Sequence, residues 1–247
     1  FFSEVVRSLP ESDVIIETDN NFKTVISCEK SIINIVAKSG DDFSRIPYIE
    51  KNEAIVMSQF TLKEVIKQTI FSISDNDNNK LMTGELFEIN ENKLRVVSLD
   101  GHRISIRHIE MKNNYPYKKV VVPGKTLQEI SKIIPGSVDE DVFIYITNNH
   151  ILFEFNNTIV VSRLIEGEYF KIDQMLSSDY ETKVKINKKN LLDCINRSTL
   201  LVKEGDKKPI IMNITDENME VKITSFVGTM KEDIDIQKDG KDILIGF

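Results

Sequence analysis

The feature that most constrains the fold is that one pattern occurs twice in the chain. Residues 1–46 and 127–172 both begin with a short amphipathic segment that ends at a proline, FFSEVVRSLP and LQEISKIIP. The apolar residues recur at the spacing of one face of an α-helix, and Pro10 and Pro135 end the two helices. In each copy an alternating stretch, an Asn-rich turn and a second alternating stretch follow, which predicts a β-hairpin. The predicted strands are residues 13–18 and 22–27 in the first copy and residues 141–146 and 150–155 in the second.

A second pattern also occurs twice. Residues 61–74 and 188–203 carry apolar stripes at helical spacing, which predicts two amphipathic helices. Each helix leads through a polar stretch into a pair of predicted strands, within residues 84–101 in the first copy and residues 209–226 in the second. The predicted turns between the paired strands fall at residues 90–92 and 215–218.

The alternation of the two patterns predicts how the domains are organised. A helix with one apolar face needs a sheet against it, so neither pattern alone is expected to form a stable domain. Joining the second pattern to the first gives a complete domain at residues 55–172. We expect residues 1–46 to be the C-terminal half of a preceding domain and residues 184–247 the N-terminal half of a following one. The predicted fold is α+β, built from repeated helix-plus-antiparallel-sheet units.

Four local motifs resemble those of one known family. VVSLDGHRIS (residues 96–105) follows a predicted strand, VVVPGKTLQEISKII (residues 120–134) enters a helix, SRLIEGEYF (residues 162–170) closes a repeat, and ILIGF ends the chain. Together with the repeated units, these motifs resemble the bacterial sliding clamp, the beta subunit of DNA polymerase III. The resemblance covers the whole chain, with the motifs in the same order as in that family. Phe170 stands where that family usually has proline.

The resemblance implies a DNA clamp fold and a head-to-tail homodimeric ring, with helices around the hole and sheets outside. It implies a non-catalytic bacterial protein that encircles duplex DNA in the cytoplasm and tethers the replicative polymerase and other factors. Half-domains at both ends imply that these 247 residues alone do not close a ring. An α+β protein that binds a peptide or small ligand without contacting DNA is the alternative, and an enzyme is a third.

The charges are distributed unevenly. The chain has 32 basic and 39 acidic residues and a net charge of −7, which alone argues against a nucleic-acid-binding domain. The four predicted helices, at residues 1–9, 61–74, 125–134 and 188–203, nevertheless carry +5 and the remainder −12. This distribution suits a positive lining around DNA phosphates and an acidic exterior. The competing interpretation is that lysine, a good helix former, occupies solvated helix faces. The basic residues of the predicted helices are Arg7, Lys63, Lys67, Lys125, Lys132, Lys188, Lys189, Arg197 and Lys203.

The resemblance assigns residues to the lining of the ring and to its closure. The residues predicted to face DNA are Lys63, Lys67, Lys125, Lys189 and Arg197. The residues predicted to close the ring are Ile33 and Ile35 on one subunit and Leu200 and Leu201 on its neighbour.

The resemblance also implies a cleft, between the second and third domains, that receives short extended hydrophobic peptides from polymerases and the clamp loader. Methionine in such a cleft suits a site that accepts several partners. The competing interpretation makes Met82, Leu99 and Ile104 ordinary core residues beside a turn. The residues predicted in the cleft are Met82, Leu99, Gly101, His102, Arg103, Ile104, Phe170, Gln174 and Met175.

The sequence contains no recognisable catalytic or metal-binding motif. Residues 100–103, Asp-Gly-His-Arg, are the most chemistry-like cluster, but no nucleophile motif accompanies them, and they are predicted to form a turn. Residues 123–125 lack the spacing of a phosphate-binding loop, and Cys28 and Cys194 are too few for a disulfide framework or a zinc site. We therefore predict no cofactor, no metal and no membrane segment.

Overall fold

A computed structural model describes residues 1–43, 45–76, 78–176, 179–202 and 208–247. The chain divides into two compact units, Phe1–Tyr169 and Phe170–Phe247. The division falls within the domain predicted at residues 55–172, so Phe170 belongs to the second unit. The bounds of the predicted domains themselves stay predictions.

The first unit contains three α-helices and nine strands in its described residues. The helices are α1 (Phe2–Ser8), α2 (Gln59–Thr69) and α3 (Gly124–Ile133). The strands are β1 (Ile15–Thr18), β2 (Lys23–Cys28), β3 (Ser31–Val36), β4 (Ile55–Ser58), β5 (Gly84–Leu99), β6 (Ile104–Pro123), β7 (Asp141–Ile146), β8 (His150–Phe155) and β9 (Thr158–Arg163).

All of the strand pairs described in this unit are antiparallel. They form a three-stranded sheet of order β1-β2-β3, a four-stranded sheet of order β4-β7-β8-β9 and the pair β5-β6. Strand β4 pairs with β7, which comes much later in the chain. The first and last parts of the segment from residue 55 to residue 163 therefore belong to one sheet.

The predicted repeat is present in the structure. Helix α1 is followed by the meander β1-β2-β3, and helix α3 is followed by the meander β7-β8-β9. The repeat pattern did not predict the third strand of each meander, although SIINIV and TIVVSR are rich in the β-branched residues that favour strands. For the first meander, the family resemblance implied an outer strand with Ile33 and Ile35, and β3 contains both residues. The α+β class and its repeated helix-plus-sheet units are confirmed.

One apolar core holds α2 and α3 against the sheets. The two helices pack on each other, and both pack on β5 and β6. Leu62, Ile66, Leu127 and Ile130 are fully buried in this core. Their spacing of three or four residues gives each helix one apolar face, so the charged residues of both helices lie on the remaining faces.

Helix α2 differs at both ends from the helix predicted at residues 61–74. It begins at Gln59 because the Ser58 hydroxyl accepts a hydrogen bond from the amide of Thr61 at 3.2 Å and caps the helix. It ends at Thr69, whose hydroxyl donates to the Val65 carbonyl at 2.9 Å, and residues 70–72 continue as one tight 3₁₀ turn. The serine cap sets the first limit and the change to a 3₁₀ turn sets the second, and the apolar spacing reveals neither.

The turn predicted at residues 90–92 does not interrupt β5. The residues on its two sides pair with different parts of β6, and the register shifts on either side of Glu91. Glu91 has a φ of 53°, in the left-handed region that tight turns use. The predicted turn is therefore present as an irregularity within one long strand.

In its described residues, the second unit has one helix packed on a five-stranded sheet and one further short helix. Its helices are α4 (Ile172–Met175) and α5 (Lys188–Thr199). Its strands are β10 (Thr182–Ile186), β11 (Ile211–Ile214), β12 (Asn218–Thr224), β13 (Thr229–Gly240) and β14 (Ile243–Gly246), in the order β10-β13-β12-β11-β14.

Helix α5 is shorter than the predicted segment 188–203. Asn187 caps its start by accepting hydrogen bonds from the amides of Lys189 and Asn190. The helix ends at Thr199, and Lys203 lies outside the described residues. Cys194 is fully buried in the core beneath the helix, as expected for a small apolar residue.

Truncating a core isoleucine of α2 should destabilise the first unit strongly. Ile66 is fully buried, whereas Ile133 on α3 is 51% exposed. We expect Ile66→Ala to lower the free energy of unfolding by about 2–5 kcal/mol because it leaves a cavity. Ile133→Ala, the matched control, should change it by less than about 0.5 kcal/mol. Urea unfolding of both variants measures the difference, and equal effects would contradict this assignment of the core.

Candidate functional site

The hairpin tip formed by β5 and β6 carries most of the residues predicted in the peptide cleft. Leu99 and Ile104 are the last paired residues of the hairpin, and residues 100–103 make the turn. Gly101 has a φ of 91°, a backbone conformation that favours glycine over any residue with a Cβ atom. Gly101, His102 and Arg103 are all exposed.

The Asp100 carboxylate holds this turn in shape. Its Oδ1 accepts hydrogen bonds from the amides of His102 (3.1 Å) and Arg103 (3.2 Å), and its Oδ2 accepts one from Arg103 Nε at 2.8 Å. These bonds, that of the His102 amide first, hold the pKa of Asp100 below its ordinary value. All of these bonds are made within the turn, so the Asp100 carboxylate stabilises the conformation of this surface loop.

Burial separates the apolar residues of this site. Leu99 is completely buried, while Ile104 and Met82 are half-buried. Leu99 therefore supports the hairpin from inside, as the competing core interpretation proposed, and Ile104 and Met82 keep surface that a ligand can contact.

Met82 lies in a short 3₁₀ helix, Lys80–Thr83, that packs on β5. The Asn79 side chain caps this helix by accepting from the amide of Leu81 at 3.1 Å, and the Met82 carbonyl accepts from the amide of Ser74 at 2.8 Å. These two hydrogen bonds therefore fix the backbone around Met82, although its side chain is flexible.

The second unit carries the other predicted cleft residues on and beside α4. The amide of Ile172 donates to the Phe170 carbonyl at 3.0 Å at the beginning of the helix, and Ile172 itself is buried. Phe170 is half-buried and Gln174 is exposed. Met175 is 48% exposed, and Leu176, which was not among the predicted residues, is 47% exposed. This short segment presents two adjacent apolar side chains to solvent.

The five cations predicted to face DNA fall into two groups. Lys67, Lys125 and Lys189 are exposed, and the Nζ of Lys67 lies 3.8 Å from Glu64 Oε1. These three ammonium groups have the access to solvent that a contact with a phosphate needs.

Lys63 and Arg197 bind acceptors within their own units. The half-buried Lys63 donates to the Ile134 carbonyl at 2.9 Å, so its charge stabilises the C-terminal end of α3. The Arg197 guanidinium donates to both carboxylate oxygens of Glu232. This hydrogen bonding lowers the pKa of Glu232 and raises that of Arg197. Both cations therefore have a structural role, which spacing along the helices does not predict.

The residues predicted to close the ring differ in exposure. Leu200 is 81% exposed and Leu201 is half-buried. Ile33 and Ile35 are half-buried on β3, an edge strand, and the neighbouring Ile32 and Val36 are the more exposed apolar residues. The alternation of a strand places Ile32 and Val36 on the opposite face from Ile33 and Ile35. The alternation of the strand is therefore the sequence signal that separates its two faces, and the face with Ile32 and Val36 is the more exposed one.

Sequence reasoning also missed Glu85, which is completely buried. The signal was available, because Glu85, Phe87 and Ile89 share one face of β5 by alternation, and Phe87 and Ile89 lie in the main core. A carboxylic acid in a row of core residues is unusual.

In the described part of the chain, no cluster of three or more histidine, cysteine, aspartate or glutamate residues has the geometry to hold a metal ion. None of the helices described is long and apolar enough to cross a membrane. Cys28 and Cys194 are free and buried.

Comparison with known proteins identifies relatives of the whole chain. The family model described as DNA polymerase III beta subunit, central domain, matches residues 56–171. A protein named "Beta sliding clamp" from Staphylococcus aureus is 32% identical over 249 aligned positions, covering 100% of this chain and 66% of that protein. The chain thus spans 66% of the length of this curated relative.

Solved structures give the same result. A crystal structure from Eubacterium rectale, of a protein provisionally assigned as a DNA polymerase III beta subunit, is 82% identical with a TM-score of 0.90. It covers 100% of this chain and 67% of its own. The DNA polymerase sliding clamp of Bacillus subtilis is 31% identical with a TM-score of 0.88, covering 100% of this chain and 66% of its own.

Proposed function

Since this chain belongs to the DNA polymerase III beta subunit family of beta sliding clamps, we propose that it forms part of a clamp that encircles duplex DNA. The clamp tethers the replicative polymerase and other replication factors so that synthesis is processive. The observation that carries this proposal is the end-to-end similarity of the chain to proteins named as sliding clamps, at a TM-score of 0.88 for the Bacillus subtilis structure. The alternative, an α+β ligand-binding protein that never contacts DNA, is not favoured by those relatives.

In this proposal the protein is not an enzyme. A ring that is topologically linked to DNA needs no strong contact with it, and tight contacts would slow sliding. The complete protein is a homodimer whose closure involves Ile33, Ile35, Leu200 and Leu201. The exposure of Leu200 and of the edge strand β3 supports this part of the proposal. The protein works in the bacterial cytoplasm, where the replicated DNA is.

The lining of the ring is proposed to carry the five predicted cations in two roles. Lys67, Lys125 and Lys189, which are exposed, contact phosphates directly. Lys63 and Arg197 remain bound to their protein acceptors and contribute to the positive potential over the helices. Each contact is weak and sensitive to salt, because binding releases condensed counterions.

Neutralising the exposed helix lysines should weaken the binding of duplex DNA and flatten its dependence on salt. For the triple variant Lys67→Gln, Lys125→Gln, Lys189→Gln, the slope of log K against log salt should fall by about 0.9 for each phosphate that the variant no longer neutralises. Fluorescence anisotropy with a labelled duplex at several low salt concentrations measures this slope.

The matched control replaces three exposed lysines on strands β6 and β12, namely Lys112→Gln, Lys119→Gln and Lys222→Gln. The control has the same change in net charge, so it should leave the slope nearly unchanged. An equal effect of the two triple variants would show that overall charge, and not the helix surface, binds DNA.

We also propose that short hydrophobic peptides of polymerases and clamp-loader subunits bind this chain. The contact residues are Met82, Gly101, His102, Arg103 and Ile104 in the first unit and Phe170, Gln174 and Met175 in the second, and the buried Leu99 supports them. Support comes from the half-exposed apolar side chains of Met82, Ile104 and Met175, together with the exposed backbone of the Gly101 turn.

Truncating one apolar side chain in each unit should weaken the binding of a polymerase-derived peptide. For the double variant Ile104→Ala, Met175→Ala we expect binding to weaken by at least about 1 kcal/mol, or roughly fivefold in Kd. Ile133→Ala with Leu192→Ala is the control, because these residues are 51% and 50% exposed on helices outside the proposed site. Wild-type affinity of the first double variant in a titration would exclude these two residues as anchors.

A further inference from the structure

The carboxyl group of Glu85 is buried without a compensating partner. Its exposed fraction is zero, and neither carboxyl oxygen has a hydrogen-bond partner. Glu85 lies opposite Val122 in the β5-β6 pair, and the next residues on its face, Phe87 and Ile89, belong to the main apolar core. Desolvation disfavours a charged carboxylate without a partner at such a position, so the neutral acid is favoured.

A series of hydroxyl groups lies on the same side of the hairpin. The Ser98 hydroxyl donates to the Thr69 carbonyl at 2.5 Å, and the Ser72 and Ser105 hydroxyl oxygens lie 2.7 Å apart. Ser98 and Ser105 are directly opposed in the β5-β6 pair. Hydrogen bonds of these four residues therefore connect the C-terminal end of α2 to the hairpin near its tip. The Ser98–Ser105 pair is next to the pair formed by the cleft residues Leu99 and Ile104.

Thr69 links Glu85 to this series only weakly. The Thr69 side chain lowers the pKa of Glu85, but its hydroxyl hydrogen is already donated to the Val65 carbonyl at 2.9 Å. Burial is the larger effect and raises the pKa of Glu85 from the ordinary 4.5 to about 8. The C-terminal end of α2, the negative end of its dipole, also disfavours a second negative charge.

The charged groups on the elements packed against β5 do not neutralise Glu85. Tyr169 interacts with it electrostatically, and burial first, then the charge of Glu85, raise the pKa of that phenol. Lys63 donates to the Ile134 carbonyl, and Lys118 donates to the Ile146 carbonyl. The other charged groups of α2, α3 and residues 80–83 are half-buried or exposed at the surface, namely Glu64, Lys67, Lys80, Lys125, Glu129 and Lys132.

We propose that the folded chain carries Glu85 as a neutral acid and that its ionisation is a pH-sensitive control on three residues of the proposed peptide site. These are Met82, just before β5, and Leu99 and Ile104 at the hairpin tip. An ionised Glu85 needs water. Residues 69–72 and 80–83 both pack on β5, and in this proposal water enters where one of these segments parts from the strand. Met82 is in the second of these segments, and Ser72 of the first is bonded to Ser105, next to Ile104. The effect on peptide binding rests on the proposed function, whereas the effect on stability does not.

The direction of the pH effect follows from linkage. Between pH 4.5 and about 8 the unfolded chain has lost the proton of Glu85 and the folded chain has kept it. The contribution of the neutral Glu85 side chain to the free energy of unfolding is therefore complete below pH 4.5. This contribution declines as the pH rises and is lost above about pH 8. Over this window the unfolding equilibrium constant should rise by up to about tenfold per pH unit relative to a chain without the acid.

The first measurement is urea unfolding at a series of pH values from about 5 to about 9. Wild type should lose stability across this range relative to Glu85→Gln, which cannot ionise. Glu85→Met provides a second comparison if the amide of the Gln variant prevents folding. Glu110→Gln, at an exposed position on β6, is the control and should keep the wild-type slope. Identical pH slopes for wild type and both Glu85 variants would overturn the proposal.

The second measurement is the affinity for a short fluorescein-labelled peptide rich in leucine and phenylalanine at about pH 6 and about pH 9. Wild type should lose affinity several-fold at the higher pH, and Glu85→Gln should not. Equal decreases in both proteins would overturn the coupling between Glu85 and the peptide site. Failure of every variant to bind at either pH would contradict the proposed peptide site, and the unfolding series alone would then decide the ionisation of Glu85.

Discussion

The structure of the first unit depends on the burial of two helix faces in one core. Ile66 of α2 and Ile130 of α3 are completely buried in the same cluster as the inward residues of β5 and β6. Burial of this kind contributes about 25 cal/mol for each Å² of apolar surface removed from water. Because each helix has only one apolar face, this packing also decides where its lysines lie. The surface charge pattern is thus a consequence of the core.

The same packing positions the hairpin tip. Residues 70–72, which continue α2, and residues 80–83, which precede β5, pack on β5. Asp100 then fixes the turn by accepting hydrogen bonds from the amides of His102 and Arg103. Rigid elements therefore hold the half-exposed Met82 and Ile104 in place, and a preorganised surface loses less conformational entropy when a peptide binds.

Patterns that depend on neighbours in sequence were the most predictable. The repeated helix and hairpin, the turn at residues 100–103 and the class of fold follow from apolar spacing and turn residues. Features that depend on partners distant in sequence were not predictable, because spacing does not show which acceptor a side chain reaches. Lys63 bonds to the Ile134 carbonyl and Arg197 to Glu232. Glu85 is intermediate, since alternation places it on the core face but does not show that it lacks a partner.

In the proposed function, topology and not the strength of individual contacts keeps the complete protein on DNA. The direct test loads the complete protein onto nicked circular duplex DNA and compares its retention with that on the same DNA after linearisation. We predict long retention on the circle even when salt weakens phosphate contacts, and rapid dissociation from the linear form as the ring slides off the ends. Equal retention on the two forms, with the same release on adding salt, would contradict encirclement and show binding by charge alone.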